Sequence, residues 1–181
     1  TTTIVDINGS NGDDGTDTLT GTEQALFGDG QQINLAVPII FDLDGDGVEM
    51  IAADKSKTTF DWNGDGIRDV TGWVGKQDGL LVFDRNSDGL ITQANELSFV
   101  DDKPGAKSDL DGLSAFDTNA DGSFSKTDAQ WSSFGVWRDR NSNGSVDAKE
   151  LVSLDKIGIA SISLTGTATE KTWAWGENIT V

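Results

Sequence analysis

Apolar residues in this chain come in short runs separated by clusters of Asp, Asn and Gly, and the character of the runs changes along its length. From Ile33 to Phe41 the chain is apolar, interrupted by Pro38, and predicts a strand. Val48–Ala52, Thr58–Phe60, Val70–Val74 and Leu80–Phe83 follow, each of β-like length and bounded by turn residues. After Ala94 the runs become helix-compatible: Ala94–Phe99, Leu113–Phe116, Thr127–Trp137 and Ala148–Ile157. The tail returns to strand, with Ile159–Leu164 alternating in polarity and with Lys171–Trp175 and Asn178–Val181 able to pair with it. Residues 1–32 predict a Gly/Asp-rich lead-in and residues 33–181 a single domain. The expected fold class is α+β, a small irregular β-sheet region joined to helices.

The polar clusters between the runs share one pattern. Asp-x-(Asp/Asn)-x-(Asp/Asn)-Gly begins at Asp42, Asp61, Asp84, Asp117 and Asp139. In a loop of this type, positions 1, 3 and 5 turn side-chain oxygens toward one point, Gly at 6 takes the sharp bend, and position 7 offers its backbone carbonyl. Hard oxygen donors in that number favour Ca²⁺ over Mg²⁺ or Zn²⁺. The predicted ligands of the first two loops are Asp42, Asp44, Asp46 and Val48, then Asp61, Asn63, Asp65, Ile67 and Asp69. Neither has an acid at position 12, so their last ligands must come from elsewhere in the fold. The third loop offers Asp84, Asn86, Asp88 and Leu90, with its acid one place late at Glu96, which predicts a stretched geometry.

The last two loops match best. One has Asp117, Asn119, Asp121 and Ser123 with Asp128 at position 12, and the other has Asp139, Asn141, Asn143 and Ser145 with Glu150 there. A helix-compatible stretch lies between them, which predicts an EF-hand-like helix-loop-helix pair. About five Ca²⁺ ions are expected in all.

Composition narrows the chemistry further. The 181 residues carry 31 acidic and 13 basic side chains, a net charge of −18 that disfavours nucleic acids and anionic membranes as partners. Six Trp and eight Phe argue for a packed core rather than disorder, and the Trp residues are expected as packing groups. Bound Ca²⁺ would offset much of the charge, so folding and metal binding should be coupled. The chain has no Cys and no His, which removes thiol nucleophiles, disulfides, Ser-His-Asp triads and nearly every zinc site. No apolar run approaches membrane-spanning length, and Thr1–Ile7 does not resemble a signal peptide. The sequence looks like a segment of something longer. Millimolar extracellular calcium would keep such loops filled, so a cell-surface setting is expected. Near the start, Gly12–Thr20 almost fits a nine-residue RTX repeat, with Asp13 where the second Gly belongs, though a single copy reads as a linker.

Order and spacing of these elements carry a resemblance. Pro38-Ile-Ile-Phe-Asp-Leu-Asp-Gly-Asp-Gly-Val-Glu49, Phe60-Asp-x-Asn-Gly-Asp-Gly-Ile67, Thr71-Gly-Trp-Val74, Asp78-Gly-Leu-Leu81, the Asp84 loop, Asn95-Glu-Leu97 and Val136-Trp-x-Asp-x-Asn141 with Glu150-Leu151 resemble the calcium-dependent self-processing module of RTX proteins. They are also similar to the related peptide-binding domains of large RTX adhesins. In the self-processing branch, the resemblance implies cleavage of an Asp-Pro bond by attack of the Asp side chain on its own carbonyl. Pro38 aligns with that proline, but Val37 precedes it, and Pro104 follows Lys103, so the chain contains no Asp-Pro bond. An aliphatic side chain cannot form the cyclic anhydride, and no enzyme activity of that kind is expected. The family's Glu-Leu-Phe-Gly also departs here to Glu96-Leu-Ser-Phe-Val-Asp-Asp102.

The peptide-binding branch implies a calcium-dependent domain of a secreted adhesin that captures a peptide or protein from another cell's surface. It is expected as a monomeric unit within a larger chain, without membrane insertion. An open position on a bound Ca²⁺ could accept a peptide carboxylate, and Asp101, Asp102, Asp109 and Asp111, outside the five loops, are the candidate ligand-binding residues. The alternatives are a calcium-stiffened spacer or a degenerate self-processing module.

Overall fold

The computed structural model describes residues 38–166 in full and, outside them, the backbone of six short strands. Those six form three antiparallel hairpins: β1 (Thr2–Val5) with β2 (Thr16–Leu19), β3 (Gln24–Leu26) with β4 (Gln32–Asn34), and β15 (Glu170–Thr172) with β16 (Asn178–Thr180). Gly12–Gly15 of the RTX-like stretch, together with Trp173 and Trp175, lie outside the described residues. The chain divides into two compact units, residues 1–35 with 167–181 and residues 36–166. The second carries all five Asp loops.

Ten strands build that unit: β5 (Ile40–Phe41), β6 (Met50–Ile51), β7 (Thr59–Phe60), β8 (Asp69–Val70), β9 (Trp73–Val74), β10 (Gly79–Phe83), β11 (Ser123–Ser125), β12 (Phe134–Trp137), β13 (Leu151–Ser153) and β14 (Ser161–Ser163). The largest sheet has the order β13-β12-β10-β5, all antiparallel, with Leu80 opposite Trp137 and Phe83 opposite Phe134 at its centre. β6 pairs with β9, β7 with β8, and β11 with β14.

The run Gly79–Phe83 explains why β10 is central. Both of its faces are apolar, as a strand buried on two sides requires. Leu81 and Phe83 join one core with Phe99, Phe116, Phe124, Phe134 and Val136. Leu80 and Val82 join the other with Phe60, Trp73, Val74 and Trp137. Trp62 packs against the second core, and Trp73, Trp131 and Trp137 are buried, in keeping with a packing role for the described Trp residues.

The expected α+β class does not hold. The described residues form small antiparallel sheets with two short α-helices, α1 (Asp109–Leu113) and α2 (Leu154–Ile157), and the EF-hand-like helix pair is absent among them. Thr127–Trp137 was the helix that the pair required. It contains only a 3₁₀ turn, Trp131–Ser133, before Phe134-Gly-Val-Trp137 extends as β12. Bulky and β-branched residues there fit a pleated, buried surface, and pairing along β10 outweighs the weak helical preference. Gly135 has no side chain to oppose the approach of β13, since a Cβ would stand 2.9 Å from the Val152 carbonyl. Ala148–Ile157 likewise splits into β13 and α2, which stops at left-handed Gly158. Ala94–Phe99 shrinks to a 3₁₀ turn over Ala94–Glu96, and Leu113–Phe116 joins the end of α1 to another 3₁₀ turn. Ile159–Leu164 does contain a strand, but β14 pairs with β11, while β15 and β16 pair with each other.

Helix α1 is held to the segment before it by one buried carboxylate. Asp109 Oδ1 accepts from the Phe99 and Val100 N–H groups and the Ser98 hydroxyl at 2.8–2.9 Å, and its Oδ2 has no partner. One turn on, Gly112 lies against the Phe99 carbonyl so closely that a Cβ would clash with it. Burial pushes the Asp109 carboxyl up from its ordinary value despite these bonds.

Two outcomes follow. Gly112→Ala forces backbone apart and should cost about 1–3 kcal/mol in urea unfolding. Because the folded protein holds the Asp109 proton more tightly than the unfolded chain, its contribution is greatest below about 3.8 and falls as pH rises through the raised folded value. Stability of the parent minus that of Asp109→Asn, measured by urea unfolding across pH 3.5–7.5, should therefore decline with increasing pH. A flat or rising difference would show that burial does not control this group.

Candidate metal centre

All five Asp loops adopt one backbone form. Position 6 is a glycine in the left-handed region each time: Gly47, Gly66, Gly89, Gly122 and Gly144, with φ between 70° and 106°. Position 4 is left-handed as well, filled by Gly45 and Gly64 in two loops and by Ser87, Ala120 and Ser142 in three, where φ is 56–58°. A non-glycine residue pays a steric cost there, so the loops are held in this shape against local preference. The first Asp of each loop supplies part of the holding force by accepting two N–H bonds from the bend. Asp42 takes Gly45 and Gly47, Asp61 takes Gly64 and Gly66, and Asp84, Asp117 and Asp139 take the N–H groups of positions 5 and 6.

Four loops add the same inner ladder. Asn63, Asn86, Asn119 and Asn141 at position 3 accept from the N–H of position 5, and Asp65, Asp88, Asp121 and Asn143 at position 5 accept from the N–H of Ile67, Leu90, Ser123 and Ser145. These bonds curl the chain through the bend of each loop.

The closing acids are present, but on turns rather than on following helices. Asp128 folds back over its loop, Oδ1 accepting from Thr118 N–H at 2.8 Å and Oδ2 from Ser125 N–H at 2.8 Å. Burial alone raises its carboxyl, yet these bonds together leave it below the ordinary value. Glu150 does the same with Arg140 and Asp147 N–H groups. Glu96, one residue late, sits in the 3₁₀ turn, gives Oε2 to Thr92 and Gln93 N–H, and leaves Oε1 buried without a partner. The turn absorbs the extra residue that the spacing introduced.

The Asp42 loop differs. The inner ladder is replaced by contacts with the turn between β9 and β10: Gln77 Nε2 donates to Asp44 Oδ2 at 2.5 Å, and Glu49 N–H donates to Asp78 Oδ2 at 2.6 Å. One carboxylate oxygen each from Asp42, Asp44 and Asp78 lies within 4.8 Å of the other two. Asp78 is 1% exposed, and its Oδ1 has no hydrogen-bond partner. Backbone N–H bonds, Gly45 first, hold Asp42 below the ordinary carboxylate value, while contact with Asp44 pushes Asp46 up. Asp78 was not among the sequence candidates. Asp-Gly there reads as a turn, and nothing in the local spacing relates it to a loop beginning at Asp42.

The Asp61 loop gains no closing acid among the described residues. Asp69 instead lies in β8, paired with Phe60. Next to it, the Arg68 guanidinium binds the carbonyls of Thr59 at 2.5 Å and Gly144 at 2.6 Å and the Ser145 hydroxyl, tying this hairpin to the Asp139 loop. Across its other side runs an open groove of about 540 Å³, lined by Asp61–Gly64, Gly66 and Thr92–Asn95.

The acids predicted to bind a ligand lie on two adjoining segments but differ in their partners. Asp102 pairs with Arg85 at 2.5 Å, whose guanidinium also covers the Phe83 ring, and Asp111 pairs with Lys103 at 2.5 Å. Asp109 is buried under Ser98–Val100, and Asp101 is exposed.

With neither Cys nor His in the chain, the convergent donors are oxygens, and the partnerless oxygens of Asp78 and Glu96 are groups that burial leaves short of positive charge. The set fits a hard divalent cation. Comparison with known proteins agrees with the motif order. Residues 39–181 match the SPM domain model, that of the self-processing module. Iron-regulated protein FrpA of Neisseria meningitidis serogroup C is 37% identical over 132 residues, which cover 70% of this chain and 12% of that protein. The chain thus spans about an eighth of its relative's length. With the match extending across nearly the whole Asp-loop unit, the chain belongs to the SPM domain family.

Proposed function

We propose that this module is a calcium-dependent binding domain of a secreted RTX-type adhesin, one that has kept the scaffold of the self-processing family and lost its reaction. The observation that carries the reading is an open groove in a chain that has no Asp-Pro bond to cleave. The groove runs between the Asp61 loop and Thr92–Asn95, and two exposed apolar side chains lie next to its lining in sequence: Ile67, 63% exposed, directly after Gly66, and Leu90, 46% exposed, two residues before Thr92. Exposed apolar groups beside a cleft of mixed lining, with Trp62 and Ala94 next to Asp61, Asn63, Gln93 and Asn95, suit a peptide segment from another cell's surface protein.

Ca²⁺ at the five loops supplies positive charge that the bare chain lacks. It offsets the repulsion among the loop carboxylates and keeps the groove walls in place. The residues themselves do the positioning: the first Asp of each loop fixes the bend, and Glu96, Asp128 and Glu150 draw the far end back over it. Millimolar calcium outside the cell is enough to fill such sites. Cleavage is absent in this reading because Val37 brings no carboxylate to the bond before Pro38.

A peptide library passed over the immobilised chain in millimolar Ca²⁺ should leave retained sequences that EGTA releases. Replacing both Ile67 and Leu90 by Ser should weaken retention tenfold or more, about 1.4 kcal/mol, without changing the calcium-dependent circular dichroism. Retention of nothing at all would make the domain a spacer. The lost reaction has its own check: the parent should give no new band on a denaturing gel after calcium is added, whereas Val37→Asp should be cut before Pro38. Calcium-dependent cutting of the parent would refute the reading.

A further inference from the structure

We infer that Asp42, Asp44 and Asp78 hold one hard divalent cation between them, with Asp78 as the ligand that closes the Asp42 loop, and that this ion clamps the segment following Pro38 onto the central strand β10. The inference rests on the calcium reading above and assigns it a ligand, a site and a mechanical role.

Several independent features meet here. The loop has carboxylates at positions 1, 3 and 5 but no acid at position 12, so its oxygen set is incomplete from its own residues. Asp78 arrives from the β9–β10 turn with one oxygen spent on Glu49 N–H and the other, though buried, bonded to nothing. A carboxylate in that state needs positive charge, and among the described residues no Lys or Arg forms an ion pair with Asp42, Asp44 or Asp78. The three carboxylates already converge to within 4.8 Å, a spacing that one ion with ligand bonds of about 2.4 Å can bridge. The same pattern occurs in the loops that do own a closing acid: Glu96, Asp128 and Glu150 are each buried and each accept loop N–H bonds. Asp78 does for Glu49 what they do for their loops, from a distant point in the chain.

Close approach of the two segments is built in. Gly75 donates to the Glu49 carbonyl at 2.8 Å, and a Cβ on it would stand 2.7 Å from the Glu49 Cβ. Gly79 meets Leu43 in the same way, its absent Cβ only 3.0 Å from Leu43 Cδ1. Immediately before the loop, β5 is attached to β10 by two residue pairs and by the Leu81 N–H bond to the Ile39 carbonyl. So short a pairing is weak alone, and a cation fastened to Asp42 on one side and Asp78 on the other would hold it in register.

Asp78→Asn is the informative change. Its amide oxygen can keep the Glu49 N–H bond, which places an NH₂ group, a donor that cannot ligate a cation, where Oδ1 stands. Native mass spectrometry of the whole chain in Ca²⁺ should show one ion fewer than the parent. Asp44→Ala, at an exposed position, should lose one ion as well, and the double variant should lose no more than either alone. Asp54→Asn, an exposed acid outside the loops, should keep the parent's count. Hydrogen exchange should show calcium-dependent protection of residues 38–49 falling in both variants while that of residues 117–150 persists. If Asp78→Asn fails to fold, Asp44→Ala decides by the same two readings. An unchanged ion count in Asp78→Asn or in Asp44→Ala overturns the site. A parent that binds no calcium overturns the calcium reading itself, a pattern distinct from equal, non-zero counts in parent and variant.

Discussion

Carboxylates turned inward against backbone N–H groups are the constraint around which this molecule is arranged. Asp78, Glu96, Asp109, Asp128, Asp139 and Glu150 are all buried, and each accepts from at least one main-chain N–H. Removing a charge from water is costly unless fixed dipoles or an opposite charge replace its hydration. Here the dipoles come from main-chain N–H groups of the Asp loops and, for Asp78 and Asp109, of Glu49 and Phe99–Val100. The backbone therefore does locally what Lys and Arg do in most interiors, and it leaves some oxygens unmatched.

The aromatic core and these loops are not separate systems. Phe41, Phe60, Phe83 and Phe116 directly precede the first Asp of their loops, and Trp137 stands two residues before Asp139. Four of the five rings are buried, and Phe41 packs against the first core. Phe83 and Phe116 meet edge to face at 5.4 Å, while Phe60 and Trp137 lie 6.4 Å apart. Each loop thus springs from a ring fixed in one of two cores, which aims its donors without a flanking helix.

Sequence reading found what is encoded locally and missed what depends on distance. The five loops were legible because Asp, Asn and Gly recur at fixed offsets, and the left-handed glycines at position 6 stand where the pattern put them. Leu80–Phe83 was legible as a strand because every residue in it is apolar, and the structure adds only Gly79 to it. Thr127–Trp137 misled because Trp131, Phe134 and Val136 satisfy either period, and only pairing with β10 decides between them. Lacking that helix, the EF-hand analogy failed even though the position-12 acids Asp128 and Glu150 fold back over their loops. Asp78 was invisible for a related reason. Its relation to Asp42 is created by the packing of one turn on another and leaves no periodic trace.

The two-residue attachment of β5 has a consequence under load. Antiparallel neighbours pulled at one end part like a zipper, rung by rung, rather than sliding past one another with all rungs strained together. Tension entering at residue 38 would meet the Leu81 N–H bond to the Ile39 carbonyl and the rungs at Ile40 and Phe41 before reaching the loop that follows them. With a cation seated in that loop as inferred above, the tensile strength of the junction would depend on the ionic composition of the medium as well as on the sheet.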